Sequence, residues 1–369
     1  MAFLTLPFAN LPADKPGLPN PQPNTGSAET KEDQEAKSYN FFEMMQPVPA
    51  SAKFVDDEWE IWGGSAVQDD DGKFHMYYSR WRRPLGHSAW VTHSEVAHAV
   101  SDSPTGPWTH HDVALPARGD AYWDGLCTHN PTVLKYGDDY FIYYMGNRGD
   151  GTVIEPLNWT HRNLQRIGVA KSSSPNGPWE RLDQPIINVS VDAKAADSLC
   201  VSNPSVAIRP DGGILMIYKC VGQEKPLPFG GPVSHLVALA DEPMGPFSKT
   251  GKKAFEVKGE NFAAEDPFIW RGDDRYWAIV KDNHGYFTDA GTSMALFESS
   301  DGLEWNLSRN PLVAKLQINW AENGVQRVSA LERPQLLFID GRPKALCCAV
   351  ATNRERKVTF NVQIPLSNN

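Results

Sequence analysis

Two stretches place carboxylates directly ahead of a proline that opens an apolar run: "EDPFIW" supplies Glu265 and Asp266, and "ERPQLL" supplies Glu332 beside Arg333. Two others, "THNPTV" and "VSNPSV", put His129 with Asn130 and Ser202 with Asn203 in the same place. Carboxyl groups brought to one site can divide acid and base work, one protonating a leaving oxygen while the other activates water or attacks. A further acidic pair emerges from aligning "WDGLCTHNPTV" with "ADSLCVSNPSV", where Asp124 and Asp197 stand six residues before the asparagine. Structure alone can also ask for these residues. A proline at a strand start removes a donor that has no ladder partner, an Asn or Asp before it caps the turn, and the repeated aspartate reads equally as a turn residue or as a pocket residue.

Other polar residues stand near strand ends. "YYSRWRR" gives Arg80 and Trp81, "HSEVAHAV" gives His93 and Glu95, "THRNLQRIGVA" gives His161 and Arg166, and "IVKDNHG" gives Lys281, Asp282 and His284. Singly these read as solvated loop charges. Together, Arg80, Glu95, His129, Asn130, Arg166, Asn203, Lys281 and Arg333 would suit a hydroxylated and even anionic ligand, because guanidinium forks bind carboxylate or sulfate bidentately.

The elements that position these residues follow from internal repetition. A strand, a tight Asp/Gly turn and a second strand recur as "GGSAVQDDDGKFHMYYS", "HNPTVLKYGDDYFIYYMG", "SNPSVAIRPDGGILMIYKC", "EDPFIWRGDDRYWAIVKD" and "ERPQLLFIDGRPKALCCAV". Counted from Ser65 through Pro131, Pro204, Pro267 and Pro334, the spacings are 66, 73, 63 and 67 residues. A second hairpin follows in "VAHAVSDSPTGPWTHH", "IGVAKSSSPNGPWERL" and "LVALADEPMGPFSKTG", with "MALFESSDGLEWNLS" as a looser fourth. Two hairpins make a four-stranded sheet, and five such units predict an all-β, five-bladed β-propeller over residues 51–369. Residues 1–50 read as an extended leader rich in Pro, Asn and charge. The last unit is one strand short, and chain from the leader is expected to complete it or to be exchanged in a homodimer.

In a propeller, the residues just before each innermost strand ring one pocket. That ring is expected to comprise Gly64, Asn130, Asn203, Asp266 and Arg333, and one residue earlier Gly63, His129, Ser202, Glu265 and Glu332. A doubly wound fold is excluded because there is neither a regular run of crossover helices nor a Gly-rich phosphate loop.

Composition narrows the function. A net charge of -10 with no basic concentration argues against nucleic acid, and no apolar run approaches the roughly 20 residues of a membrane helix. The five cysteines form no C-x-x-C pair and read as small buried thiols. No H-E-x-x-H or comparable metal spacing is present. The N-terminal stretch lacks a basic n-region and a long h-region, as expected of a cytoplasmic chain or of a periplasmic or secreted one without its signal.

With five strand-turn-strand units, "GPW" hairpins, and Asp-Pro and Glu-x-Pro strand starts, the chain from roughly Trp59 to Leu366 resembles the five-bladed β-propeller glycoside hydrolases. That superfamily includes family 43 arabinofuranosidases and xylosidases, family 117 anhydrogalactosidases and the family 32 and 62 enzymes. The resemblance implies an oligosaccharide or polysaccharide substrate cut at a terminal sugar with inversion. It implies no required cofactor, with room for a single divalent cation in the central pocket. It also implies a general acid at Glu332 or Glu265 with its pKa raised, an orienting or tuning role for Asp266, and a sugar contact from His129. Blade one, "GGSAV", carries no carboxylate where family 43 has its base, so the base falls to Asp124 or Asp197. The same propeller could instead be a non-catalytic carbohydrate-binding module or a glycoside phosphorylase like those of family 130.

Overall fold

The computed structural model describes residues 38–367; the expectations for the leader up to residue 37 lie outside the described residues. Four sheets are continuous in sequence, each running from its first strand outward. Their first strands are Trp59–Gln68, Cys127–Tyr136, Cys200–Ile208 and Ala264–Arg271. The fifth sheet is Ala330–Ile339, Arg342–Ala351 and Thr359–Pro365, completed on its outer edge by the two-residue strand Lys53–Phe54. Lys53 pairs with Val362 and Phe54 with Asn361, so the last blade is closed by N-terminal chain, at residues just inside the expected propeller boundary. The five first strands touch in sequence, and the fifth touches the first. The protein is a closed five-bladed β-propeller.

Alternation along each strand sends apolar side chains into the space between neighbouring blades, and five inter-blade cores result. Phe141 and Tyr143 of blade two meet Val206 and Met216 of blade three; Ile217 of blade three meets Ile269 and Ala278 of blade four. The core between blades four and five also takes in the short helix Phe41–Met44. Polar links repeat as well: Tyr77 Oη donates to the Pro175 carbonyl of the next blade, and Tyr143 Oη to that of Pro243, 2.8 Å away. The five cysteines are buried and free.

Each first strand carries a β-bulge at the same point, where one extra residue breaks the ladder. The residue in the left-handed region is Gly63, Asn130, Asn203, Asp266 or Arg333, with φ between 49° and 55°. This corrects the expected register of blade one. Gly63, rather than Gly64, is the counterpart of Asn130, and Trp62 is the counterpart of His129, Ser202, Glu265 and Glu332. The proline of blades two to five masked the shift, because blade one has Gly64 in its place.

Candidate active site

The bulges build the site in two tiers. The lowest is the ring of left-handed residues: Asn130 Nδ2 donates to Asn203 Oδ1 at 2.9 Å, Asn203 Nδ2 donates to Asp266 Oδ1 at 2.6 Å, and Arg333 Nη1 lies 3.6 Å from the same Asp266 oxygen. Bulges re-aim side chains, and Asn and Asp tolerate positive φ; Arg333, fully buried at φ 55°, is the unusual member. The second tier is Trp62, His129, Ser202, Glu265 and Glu332. Opposite it on the second strands stand Ser79, Met145, Lys219, Lys281 and Ala349.

These tiers enclose a cavity of about 180 Å³ whose two sides differ in chemistry. Blades one and two supply Trp62, Trp81, Trp90, His87, His129 and Met145. The His129 ring lies 5.0 Å from that of Trp90 and shares a 2.7 Å hydrogen bond with Ser94 Oγ. Burial, then the Arg333 charge, holds the His129 pKa well below its ordinary value, so the ring is neutral. The other side is ionic. Lys219 Nζ meets Glu265 Oε1 at 2.7 Å; Lys281 Nζ bridges Glu265 Oε2 at 3.3 Å and Glu332 Oε1 at 2.8 Å; Arg356 Nη2 binds Glu332 Oε1 at 2.9 Å. A second cavity, of about 310 Å³, opens on the far side of Glu265, Lys281 and Glu332, which line both chambers.

The electrostatics separate the three carboxyl groups. Burial raises the Asp266 pKa to about 6, helped by the neighbouring Glu265 charge and only partly offset by Arg333. Burial also penalises the charged forms of Glu265 and Glu332, but Lys219 and Lys281 outweigh it at the first, and Lys281 and Arg356 at the second, so both sit below the ordinary value. The expectation of a raised pKa on Glu332 or Glu265 is therefore overturned, because the lysines that decide it lie on neighbouring strands with no motif of their own.

Asp124 and Asp197 stand outside both cavities, which corrects their expected place as base candidates. Asp124 binds Arg118 Nε at 2.7 Å, Tyr144 Oη at 2.7 Å and Arg181 Nη1 at 3.3 Å. Asp197 binds Lys249 Nζ at 2.5 Å and Tyr218 Oη at 3.2 Å. Tyr144 and Tyr218 occupy the same register, as do Arg181 and Lys249. The repeated aspartate is thus a clasp from the blade start to its own outer strand. Arg80 and Glu95 likewise pair with each other at 2.8 Å, with Arg80 over the Trp59 ring, and Arg166 binds Asn188 and backbone carbonyls; none of the three lines the cavities. Glu265, Asp266, Glu332, His129, Asn130, Asn203 and Lys281 come together, with Arg333 packed against the floor.

A divalent cation on the axis does not fit these residues. Each carboxylate that would hold it already faces a lysine or arginine, and Lys219, Lys281, Arg333 and Arg356 would repel it.

No protein-family model and no curated protein sequence matches the chain. Solved structures do. A family 117 glycoside hydrolase, Zg3597 of the marine bacterium Zobellia galactanivorans, is 16% identical over 87% of this chain and 89% of its own, with a TM-score of 0.58. The fold is that of the five-bladed glycoside hydrolase propellers. A thermostable family 43 glycoside hydrolase is 14% identical over 88% of this chain and 94% of its own, at a TM-score of 0.58. The GH43_1 enzyme of Xanthomonas citri complexed with xylotriose is 14% identical over 86% and 89%, at 0.56. At such identities the likeness concerns the fold.

Proposed function

We propose that the protein is a glycoside hydrolase that removes a terminal sugar from an oligosaccharide or polysaccharide. The observation that carries this reading is the carboxyl cluster where two chambers meet, the aromatic-walled central cavity and the second cavity. A sugar ring in the central cavity stacks its C–H face on tryptophan while its hydroxyls meet Asn130, Asn203, His129 and the lysines. The glycosidic bond then lies among Asp266, Glu265 and Glu332, and the rest of the substrate extends toward the second chamber. A cavity floored by the ring of bulges admits one sugar residue from the chain end, which supports exo action.

Asp266 is the carboxyl group able to hold a proton near pH 6 and acts as general acid, through Oδ2, since Oδ1 accepts from Asn203. Glu332 or Glu265, kept ionised, serves as the carboxylate that activates water. Inversion follows the resemblance to families 43 and 117.

The cations favour a second reading. Lys219, Lys281 and Arg356 beside the carboxylates would also accept an inorganic phosphate, making the enzyme a phosphorylase. A panel of 4-nitrophenyl arabinofuranosides, xylosides and galactosides, assayed with and without phosphate, tests both. Phosphate-independent release of sugar supports hydrolysis, phosphate-dependent turnover the phosphorylase, and glycan binding without turnover refutes both. Full activity in both Glu265→Gln and Glu332→Gln would remove the glutamates from the mechanism.

A further inference from the structure

On blade one, away from both cavities, three side chains converge: His98 of the strand Glu95–Ser101, and His111 and Asp112 of the strand Thr109–Leu115. Their ligand atoms all lie within 4.8 Å of one another. His98 pairs across the ladder with Asp112, and the ladder slips between His98 and Ala99, so a β-bulge accommodates His111 next to Asp112. The rings of His98 and His111 are 5.1 Å apart at 81°.

Protons decide what this cluster does. Asp69 Oδ2 lies 3.0 Å from His75 Nε2, and His75 Nδ1 lies 2.9 Å from His98 Nε2. A carboxylate only accepts, so His75 carries its proton on Nε2. With each imidazole in its neutral form, the form in which histidine binds a metal, one proton per ring is shared along this chain. His75 Nδ1 is then a bare acceptor, and His98 must donate to it from Nε2. That leaves His98 Nδ1 without a proton, buried and without a hydrogen-bond partner. Asp112 Oδ1 lies 3.3 Å away and, as a carboxylate oxygen, also offers only lone pairs. Two acceptors face each other with nothing between them to share.

We propose that His98 Nδ1, His111 and Asp112 bind a divalent transition-metal ion, with zinc the best fit. A cation answers the facing lone pairs, and two ligands at about 2.0–2.1 Å from a tetrahedral zinc stand roughly 3.3 Å apart. Two imidazoles and one carboxylate are ligands that zinc takes readily, and the solvent-facing fourth position is left to water. Asp69 and His75 form the outer shell, fixing the His98 tautomer as metal-bound histidines require. The ion would tie the outer strand of blade one to the strand beneath it.

The test uses tag-free protein stripped with chelator, titrated with zinc chloride by calorimetry and with cobalt(II) by absorption. His111→Ala and Asp112→Asn lie on the solvent side of an edge strand, and circular dichroism checks that they fold. The expected result is one zinc per chain in the wild type, affinity about tenfold or more weaker in each variant, and four-coordinate cobalt bands in the wild type alone. No zinc uptake by the wild type, or equal affinity in all three proteins, overturns the site.

Discussion

Arg333 fills, from blade five, the space that a side chain at Gly63 of blade one would need: a Cβ on Gly63 would stand 3.3 Å from Arg333 Cγ. Blade one therefore contributes a vacancy to the ring that the other blades fill with side chains. Gly63 also holds φ 51°, so Gly63→Ala combines left-handed strain with crowding. It is expected to lose about 1–3 kcal/mol in urea unfolding; unchanged stability would mean the ring is more pliant than its geometry implies.

Lys281 joins the two glutamates that line both chambers. Lys281→Met leaves two buried carboxylates short of a partner, with an expected loss of about 3–5 kcal/mol. Their pKa values rise, so the acid limb of the pH–rate profile moves to higher pH. An unmoved acid limb would show that neither glutamate is needed in its ionised form.

The Asp266 pKa fixes the sign of another pH effect. Folding raises it from 3.8 to about 6, so its favourable contribution is complete below pH 3.8 and disappears as pH rises through about 6. Activity that uses its proton falls over the same upper limb. Asp266→Asn should flatten the stability change across that window, as read by thermal unfolding at several pH values. A profile identical to the wild type would place the titration elsewhere.

Asp124→Asn and Asp197→Asn separate clasp from catalysis. Each weakens buried ion pairs and is expected to lower stability by about 2–4 kcal/mol, with turnover of the folded protein within a few-fold of wild type. A loss of a hundredfold or more in either would restore it to the mechanism.

The propeller was legible because its units repeat with their turns intact; counting strands marked the last blade as one short, but the strand that completes it, Lys53–Phe54, lies outside the residues read as leader. The glutamates and Asp266 were legible because proline marks the bulge that aims them. Trp62 was missed because Gly64 stands where the other blades have proline, which moved the alignment by one residue. Lys219 and Arg356 were missed for another reason: one lies on a second strand and the other in a loop, and only folding sets them against carboxylates. Asp124 and Asp197 misled because repetition in a propeller marks what holds each blade as readily as what lines its pocket. The His98 cluster left no spacing signal, since its members are 13 and 14 residues apart and meet across a ladder.

Under the proposed function, Asp266 delivers the proton to a departing sugar oxygen. The most direct test of this step is Asp266→Asn assayed on two glycosides of one sugar, an alkyl glycoside that needs a proton to leave and a 2,4-dinitrophenyl glycoside that does not. The expected result is a loss of about 10²–10⁴-fold on the first and a much smaller loss on the second. Equal losses on both, or full activity on the alkyl glycoside, would contradict it.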